Sequence, residues 1–235
     1  MNAPKRVAMV SGANRGIGLA IARALARDGY RLSLGVRRPQ TVPADLLADT
    51  EDVLVCAYEA RDRLAARVWV DAVIARFGRL DVLVNNAGIA PFIGIEDGSD
   101  EALRDLVDVN VTAPFRLLQA ALPHLKAAGS GRVINVASLS GKRVMGLNAG
   151  YQMSKHAVVA LTHAVRRLGW EHGIRATALC PGFVETDLTA QVTDIPRDQM
   201  TSPEDLAKLV AAVVRLPNTA AVAEVLVNCR YEHVV

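Results

Sequence analysis

Ser11-Gly12-Ala13-Asn14-Arg15-Gly16-Ile17-Gly18 ends the first apolar run of the chain, Lys5 to Ser11, and passes straight into a helical pattern at Ile17 to Asp28. Glycines at such a junction allow a tight turn and close approach of the backbone. The helix start offers free N–H groups and a positive dipole end to a pyrophosphate. The spacing is Gly-x3-Gly-x-Gly rather than Gly-x-Gly-x-x-Gly, and no Gly-Lys-Ser/Thr follows to make a P-loop. A strand-turn-helix of this kind at the head of the chain predicts a dinucleotide-binding fold.

The rest of the chain repeats the strand-then-helix rhythm. Arg31 to Val36, Val53 to Tyr58, Leu80 to Asn85, Gly131 to Ser138, Ile174 to Cys180 and Ala223 to Asn228 are short, nearly continuous apolar runs, which predicts strands covered on both faces. Helical patterns occupy Leu64 to Phe77, Glu101 to Asp108, Val111 to Lys126, Tyr151 to Glu171 and Pro203 to Val214. Alternation implies crossovers and a seven-stranded, mostly parallel sheet with helices on both faces, an α/β doubly wound architecture. No linker, repeat or low-complexity stretch divides residues 1–235, so a single domain is expected. The less regular stretch Glu185 to Thr201 follows the sixth strand, where a substrate lid is expected in such sheets.

Composition narrows the function. With 27 Lys and Arg against 24 Asp and Glu, the formal charge of +3 is small and dispersed, which argues against a nucleic-acid partner. No apolar run reaches the roughly 18 residues that cross a bilayer, and Met1-Asn2-Ala3-Pro4 leads directly into a strand, so a cytoplasmic protein without a membrane partner is expected. Cys56, Cys180 and Cys229 are placed with the predicted strands and lack Cys-x-x-Cys spacing, which predicts buried free thiols. The scattered histidines, His156 and His163 included, are not joined by a carboxylate or cysteine set, so no metal site is expected.

The chemistry is carried by Tyr151 and Lys155. On a helix, positions i and i+4 share one face about 5 to 6 Å apart at Cβ. A phenol holds its proton to about 10, and a neighbouring ammonium favours the phenolate, lowering that value toward the range where proton transfer is efficient. Ser138 stands thirteen residues upstream at a strand end, where its hydroxyl can hydrogen-bond a substrate carbonyl beside the phenol. Together they describe a site that protonates an alkoxide or deprotonates an alcohol.

Gly12, Gly16 and Gly18, then Asn85-Asn86-Ala87-Gly88, Asn110, Ser138, the Tyr151/Lys155 pair, and Pro181-Gly182 with Thr186 stand in the order seen in short-chain dehydrogenases/reductases, a family that the sequence resembles over essentially its whole length. The resemblance implies a single Rossmann-type domain, a nicotinamide cofactor and, from the helices at Val111 to Lys126 and Tyr151 to Glu171, a homodimer or homotetramer. It implies that Tyr151 is the proton donor or acceptor and Ser138 the carbonyl anchor. Lys155 would tune the phenol and bind the nicotinamide ribose, and Asn110 would hold a water that relays protons to Lys155. Cofactor contacts are implied at Gly12, Asn14, Gly16, Ile17, Gly18, Asn86, Ala87, Gly88, Tyr151, Lys155, Pro181, Gly182, Val184 and Thr186. At Asn86 a brace for the turn is the alternative, and at Pro181-Gly182 a simple strand end.

Cofactor choice has its own signal. An acid about 20 residues past the glycines would accept from the ribose 2′-OH of NAD, whereas cations suit the 2′-phosphate of NADP. Between Arg31 and Ala44 there is no acid, the second strand ends in Arg37-Arg38, and Arg15 lies inside the glycine turn. Guanidinium forks bind phosphate bidentately, so NADP(H) is expected in preference to NAD(H).

Three positions depart from the family pattern. Ser11 replaces the more usual threonine, Glu59 takes the place of an aspartate expected to meet the adenine, and the C-terminal stretch lacks an Asp-Gly-Gly ending. Leu139, Val144, Met145, Leu147, Phe183 and Leu188 flank the Ser138/Tyr151 site and suit an apolar pocket, while Lys142 and Arg143 are read as a solvated loop. The leading expectation is an NADP(H)-dependent carbonyl reductase or alcohol dehydrogenase acting on a small-molecule carbonyl or alcohol. The alternative, a non-catalytic NADPH-binding regulatory protein of the same fold, has little use for the complete set Asn110, Ser138, Tyr151 and Lys155.

Overall fold

A computed structural model describes residues 4–232. Seven runs form one sheet: β1 (Val7–Ser11), β2 (Arg31–Val36), β3 (Val53–Ala57), β4 (Val82–Asn85), β5 (Arg132–Val136), β6 (Arg175–Pro181) and β7 (Glu224–Val227). Their order is β3-β2-β1-β4-β5-β6-β7, and every pairing is parallel. The expectation of a mostly parallel sheet is thus corrected to a wholly parallel one. Every link between successive strands is a crossover, and the one from β2 to β3 is made by two 3₁₀ turns, Pro39–Thr41 and Ala44–Leu47.

Both faces of the sheet are covered, which is why its strands read as continuous apolar runs. On one face α1 (Gly16–Arg27) and α6 (Pro203–Arg215) bring Ile21, Leu25, Leu206, Val210 and Val214 against Val10, Leu34, Val84 and Ile134. On the other, α2 (Ala65–Phe77), α4 (Ala113–Ala127) and α5 (Ala149–Gly169) bring Trp69, Val73, Leu117, Leu125 and Val165 against Met9, Leu83 and Val133. The strand order reverses between β1 and β4, so the crevice beyond their carboxyl ends is where a ligand of such a sheet belongs.

Two helices begin two residues away from the start that the sequence pattern suggested. The helix expected from Val111 starts at Ala113, because α3 (Asp100–Val107) runs into a π-helical segment, Asp108–Thr112, in which the Ala113 N–H reaches back five residues to the Asp108 carbonyl. Pro114 has no N–H for the carbonyl four residues before it, that of Asn110, and the ladder is disturbed there. The helix expected from Tyr151 starts at Ala149, since Asn148 caps it by accepting from the Tyr151 N–H at 3.2 Å. Of the three free cysteines only Cys180 is buried. Cys56 is half-buried, and Cys229 lies past the end of β7 and is half-buried too. Among the described residues no helix is long and apolar enough to cross a membrane.

Candidate active site

The glycine turn is built with little room to spare. Gly12 and Gly16 have φ of 66° and 52°, the left-handed region that favours glycine. At Gly18, a Cβ would lie 2.3 Å from the Gly12 carbonyl oxygen and 2.4 Å from Asn86 Nδ2. Asn86 braces this turn by donating to the Ser11 and Gly12 carbonyls at 2.9 and 3.2 Å. Ser11, the residue that departs from threonine, accepts from the Asn86 and Ala87 N–H groups at 2.9 and 3.0 Å, so its hydroxyl welds the end of β1 to the end of β4. Arg15 is the N-cap of α1, yet no side chain caps that helix and no acid stands in its first turn. The free N–H groups and positive end fit the phosphates of a dinucleotide.

Arg37 and Arg38 are exposed just past β2, whose Gly35 carbonyl accepts from the Gly12 N–H at 2.8 Å. Thr41 joins the two segments: its hydroxyl accepts from Asn14 at 3.0 Å and donates to the Arg38 carbonyl at 2.7 Å. Neither Arg37 nor Arg38 makes an ion pair among the described residues, and both are free for a phosphate. Arg15 turns elsewhere, to Asp187 at 2.7 Å across the crevice. Glu59 accepts from the N–H and guanidinium of Arg61 at 3.2 and 3.3 Å, so its carboxylate is held by the turn in which it lies.

Ser138, Tyr151 and Lys155 come together at the carboxyl ends of β5 and β6. Ser138 is 8 % exposed and donates to the Pro181 carbonyl at 3.3 Å. Its hydroxyl also accepts from the Ser140 N–H at 3.1 Å and faces the Tyr151 phenol. Lys155 is equally buried; its Nζ donates to the Val136 carbonyl at 3.0 Å and lies 5.5 Å from the centre of the Tyr151 ring. Burial pushes this ammonium down to about 8. The phenol does not follow the expected lowering: burial pushes it above its ordinary value, and the Ser138 hydrogen bond only partly opposes that. A desolvated ammonium that is itself ready to lose its proton is a weaker lever on the phenol than the sequence spacing suggests.

Asn110 sits in the π-helical segment, 3 % exposed. Its side chain accepts from the Ile89 N–H and donates to the Ile89 carbonyl, both at 2.9 Å, and donates to Ser154 at 3.1 Å. Those bonds occupy its side chain, while Pro114 leaves its main-chain carbonyl without the N–H four residues on. Gly88 lies against it, with room for a Cβ no nearer than 3.3 Å to Asn110 Oδ1. Pro181 and Gly182 end β6, and the Gly182 N–H donates to the Val227 carbonyl at 2.8 Å. Val184 bridges to Thr201, which closes the neck of the 185–201 segment, while Thr186 caps the 3₁₀ turn Asp187–Thr189 and lies against Gly16.

The sequence model of the short chain dehydrogenase family matches residues 6–196. This chain belongs to the short-chain dehydrogenases. It has the family's Rossmann-like sheet. An agropine synthesis reductase of Rhizobium rhizogenes is 38% identical over 229 residues, which are 97% of this chain and 53% of that protein. The chain thus spans about half the length of the first curated relatives that it matches. An uncharacterized oxidoreductase of Bacillus subtilis (strain 168) is 35% identical over 82% of this chain and 77% of its own. Among solved structures, an alcohol dehydrogenase from the archaeon Thermococcus sibiricus, complexed with 5-hydroxy-NADP, superimposes with a TM-score of 0.86 at 31% identity, covering 94% of this chain and 95% of that one.

In this short-chain dehydrogenase the structure also brings forward residues that motif reading passed over. Asn148 caps α5, accepts from the Ile93 N–H at 3.1 Å and donates to the Pro91 carbonyl at 2.9 Å, tying the loop after β4 to the helix that carries Tyr151. An asparagine three residues before the tyrosine is an N-cap signal, so the sequence did contain it. Asp187 and Thr41 had no local signal, since each acts through a partner distant in sequence. The solvated reading holds for Lys142, which is exposed and pairs with Glu224 at 2.8 Å, but not for Arg143, which pairs with the buried carboxylate of Glu232.

Proposed function

We propose that this protein is an NADP(H)-dependent reductase or dehydrogenase of a small carbonyl compound or secondary alcohol. The carrying observation is the cluster at the edge of β5 and β6, where the Ser138 hydroxyl faces the Tyr151 phenol and the Lys155 ammonium is buried 5.5 Å from the centre of that ring. In the reductive direction Ser138 donates to the substrate carbonyl oxygen and Tyr151 gives that oxygen its proton. Lys155 then returns a proton toward the phenolate, drawing on a water at the Asn110 carbonyl. Bound NADPH supplies the hydride for the carbonyl carbon.

The cofactor-holding set would be Gly12, Asn14, Gly16, Ile17 and Gly18 at the turn, Ala87 and Gly88 after β4, Lys155 at the ribose, and Pro181, Gly182, Val184 and Thr186 after β6. Arg37 and Arg38 would hold the 2′-phosphate, a reading supported by the absence of a nearby acid and by the NADP analogue on the Thermococcus sibiricus enzyme. Val144, Met145, Leu147 and Leu188 are exposed on the loops after β5 and β6, and they favour a substrate with an apolar body. Residues 185–201 are read as the lid, within a single domain. Exposed Phe115 on α4 and Met153 and Leu168 on α5 suit assembly as a homodimer or homotetramer.

A kinetic screen of ketones, aldehydes and alcohols with NADPH and NADP⁺, followed by nicotinamide absorbance, tests the reading. Turnover that survives Tyr151→Phe would overturn the proton-transfer assignment. NADPH binding without turnover across the panel would favour a regulatory protein instead.

A further inference from the structure

Three buried polar side chains run in a line from α5 across the sheet. Thr162 donates its hydroxyl proton to the Val158 carbonyl at 2.8 Å. A carbonyl only accepts, so the proton has no other destination, and Thr162 Oγ1 must accept from its other neighbour, Asn135 Nδ2, also at 2.8 Å. With its nitrogen turned to Thr162, Asn135 presents Oδ1 to its register partner Asn85, which donates from Nδ2 at 2.8 Å. One hydroxyl thereby fixes which end of each amide is oxygen.

The line ends on an acceptor without a partner. Asn85 is 7 % exposed, and its Oδ1 is buried and unpaired among the described residues. Leaving such an oxygen bare is unfavourable, because it has given up its hydrogen bonds to water and gained none in return. Asn85 lines a cavity of about 10 Å³ together with Ser11, Asn110, Pro114, Val136 and Lys155, about the space that one water needs. Of the other lining residues, Lys155 carries a donor ammonium and Asn110 a main-chain carbonyl that Pro114 deprives of its helical partner, beside the hydroxyl-bearing Ser11 and Tyr58.

We propose that the Thr162–Asn135–Asn85 line orients a water in this cavity, with Asn85 Oδ1 and the Asn110 carbonyl as its acceptors and Lys155 Nζ as its donor. Asn85 is then a positioning residue: it acts on Lys155 through the water, whose lone pair is made to face the ammonium. The other groups facing Lys155 are the Tyr151 ring, the Cys180 thiol and the Val136 carbonyl. Against them and against burial, the oriented lone pair favours the charged lysine. Only the consequence for proton transfer rests on the function proposed above; the water and its polarity do not.

Two measurements test this without any substrate. A crystal structure of the unaltered protein, at a resolution that places waters, should show one water within hydrogen-bonding distance of Asn85 Oδ1, the Asn110 carbonyl and Lys155 Nζ. An empty cavity, or an Asn85 amide turned with nitrogen toward the water, overturns the proposal. In protein labelled with ¹³Cε-lysine, the chain's five lysines are few enough to follow Lys155 through a pH titration. Thr162→Val frees both amides to reverse and should lower the Lys155 midpoint by about one pH unit. Thr162→Ser keeps the hydroxyl and should match the unaltered protein. An unchanged midpoint in a folded Thr162→Val protein refutes the orientation. A water held at the Asn110 carbonyl but away from Asn85 Oδ1, with intact NADPH turnover, would sink this proposal alone, whereas a well-placed water in a protein without turnover would sink the proposed function alone.

Discussion

The glycine turn and the Ser138–Tyr151–Lys155 cluster lie along the same edge of the sheet, yet they are made of different materials. The turn offers main-chain N–H groups and space, with Asn86 and Ser11 holding its carbonyls and amides in place. The cluster offers three side chains: Ser138 and Lys155 are buried and bound to the ends of β6 and β5, and the half-buried Tyr151 stands beside them. A substitution therefore harms the two regions in opposite ways. At the turn it adds an atom where none fits; at the cluster it removes an atom that nothing replaces.

The contrast is open to direct attack. The largest effect is expected from Tyr151→Phe, which should lower kcat by about 10²–10⁴-fold while the NADPH dissociation constant, measured by fluorescence titration, stays within about twofold. A comparable loss of affinity would mean that the two regions are not separable. Gly18→Ala should do the reverse, weakening NADPH binding by about tenfold or more and lowering stability by about 1–3 kcal/mol, because the backbone must move to admit the Cβ. Replacing Arg37 and Arg38 by serine should cut the preference for NADPH over NADH about tenfold for each guanidinium taken from the 2′-phosphate, read as the ratio of kcat/KM values.

A smaller effect concerns pH. Lys155 releases its proton near 8 when folded but holds it to its ordinary value, 10.5, when unfolded. Between those values the unfolded chain binds more protons, so stability rises with pH across the window, and the penalty is fully present below about 8. In urea titrations, the unaltered protein should gain on Lys155→Met as pH climbs from about 8 to 10.5. A constant difference would show that the ammonium is not desolvated. The least effect is expected from Asn148→Ala, about 1 kcal/mol of stability from removal of the cap, with a modest fall in kcat as Tyr151 loses its anchor.

Much of this edge was legible in the sequence because it depends on local signals. Ser202, Pro203 and Glu204 announced the start of α6, and the structure places the cap there, with Ser202 accepting from the Asp205 N–H at 3.1 Å. The apolar run Arg31 to Val36 is β2 to the residue. What stayed hidden depends on three dimensions. The π-helical segment at Asn110 lies just before Pro114, the second residue of α4, and periodicity is nearly blind to one extra residue in a turn. The Arg15–Asp187 pair spans 172 positions. The direction of the Tyr151 shift was missed because spacing reveals which charge is near but not how much water has been removed.

The ion pairs of Lys142 with Glu224 and of Arg143 with Glu232 have a kinetic consequence. They neutralise the cations on the loop beside the Ser138–Tyr151 cluster, and Val144, Met145 and Leu147 project there without charge. A neutral substrate arriving at that lip is captured by unaided diffusion, whereas an anionic cofactor approaching Arg37 and Arg38 is drawn in by a long-range field that salt extinguishes. Raising ionic strength should thus slow capture of the cofactor and leave capture of a neutral substrate untouched.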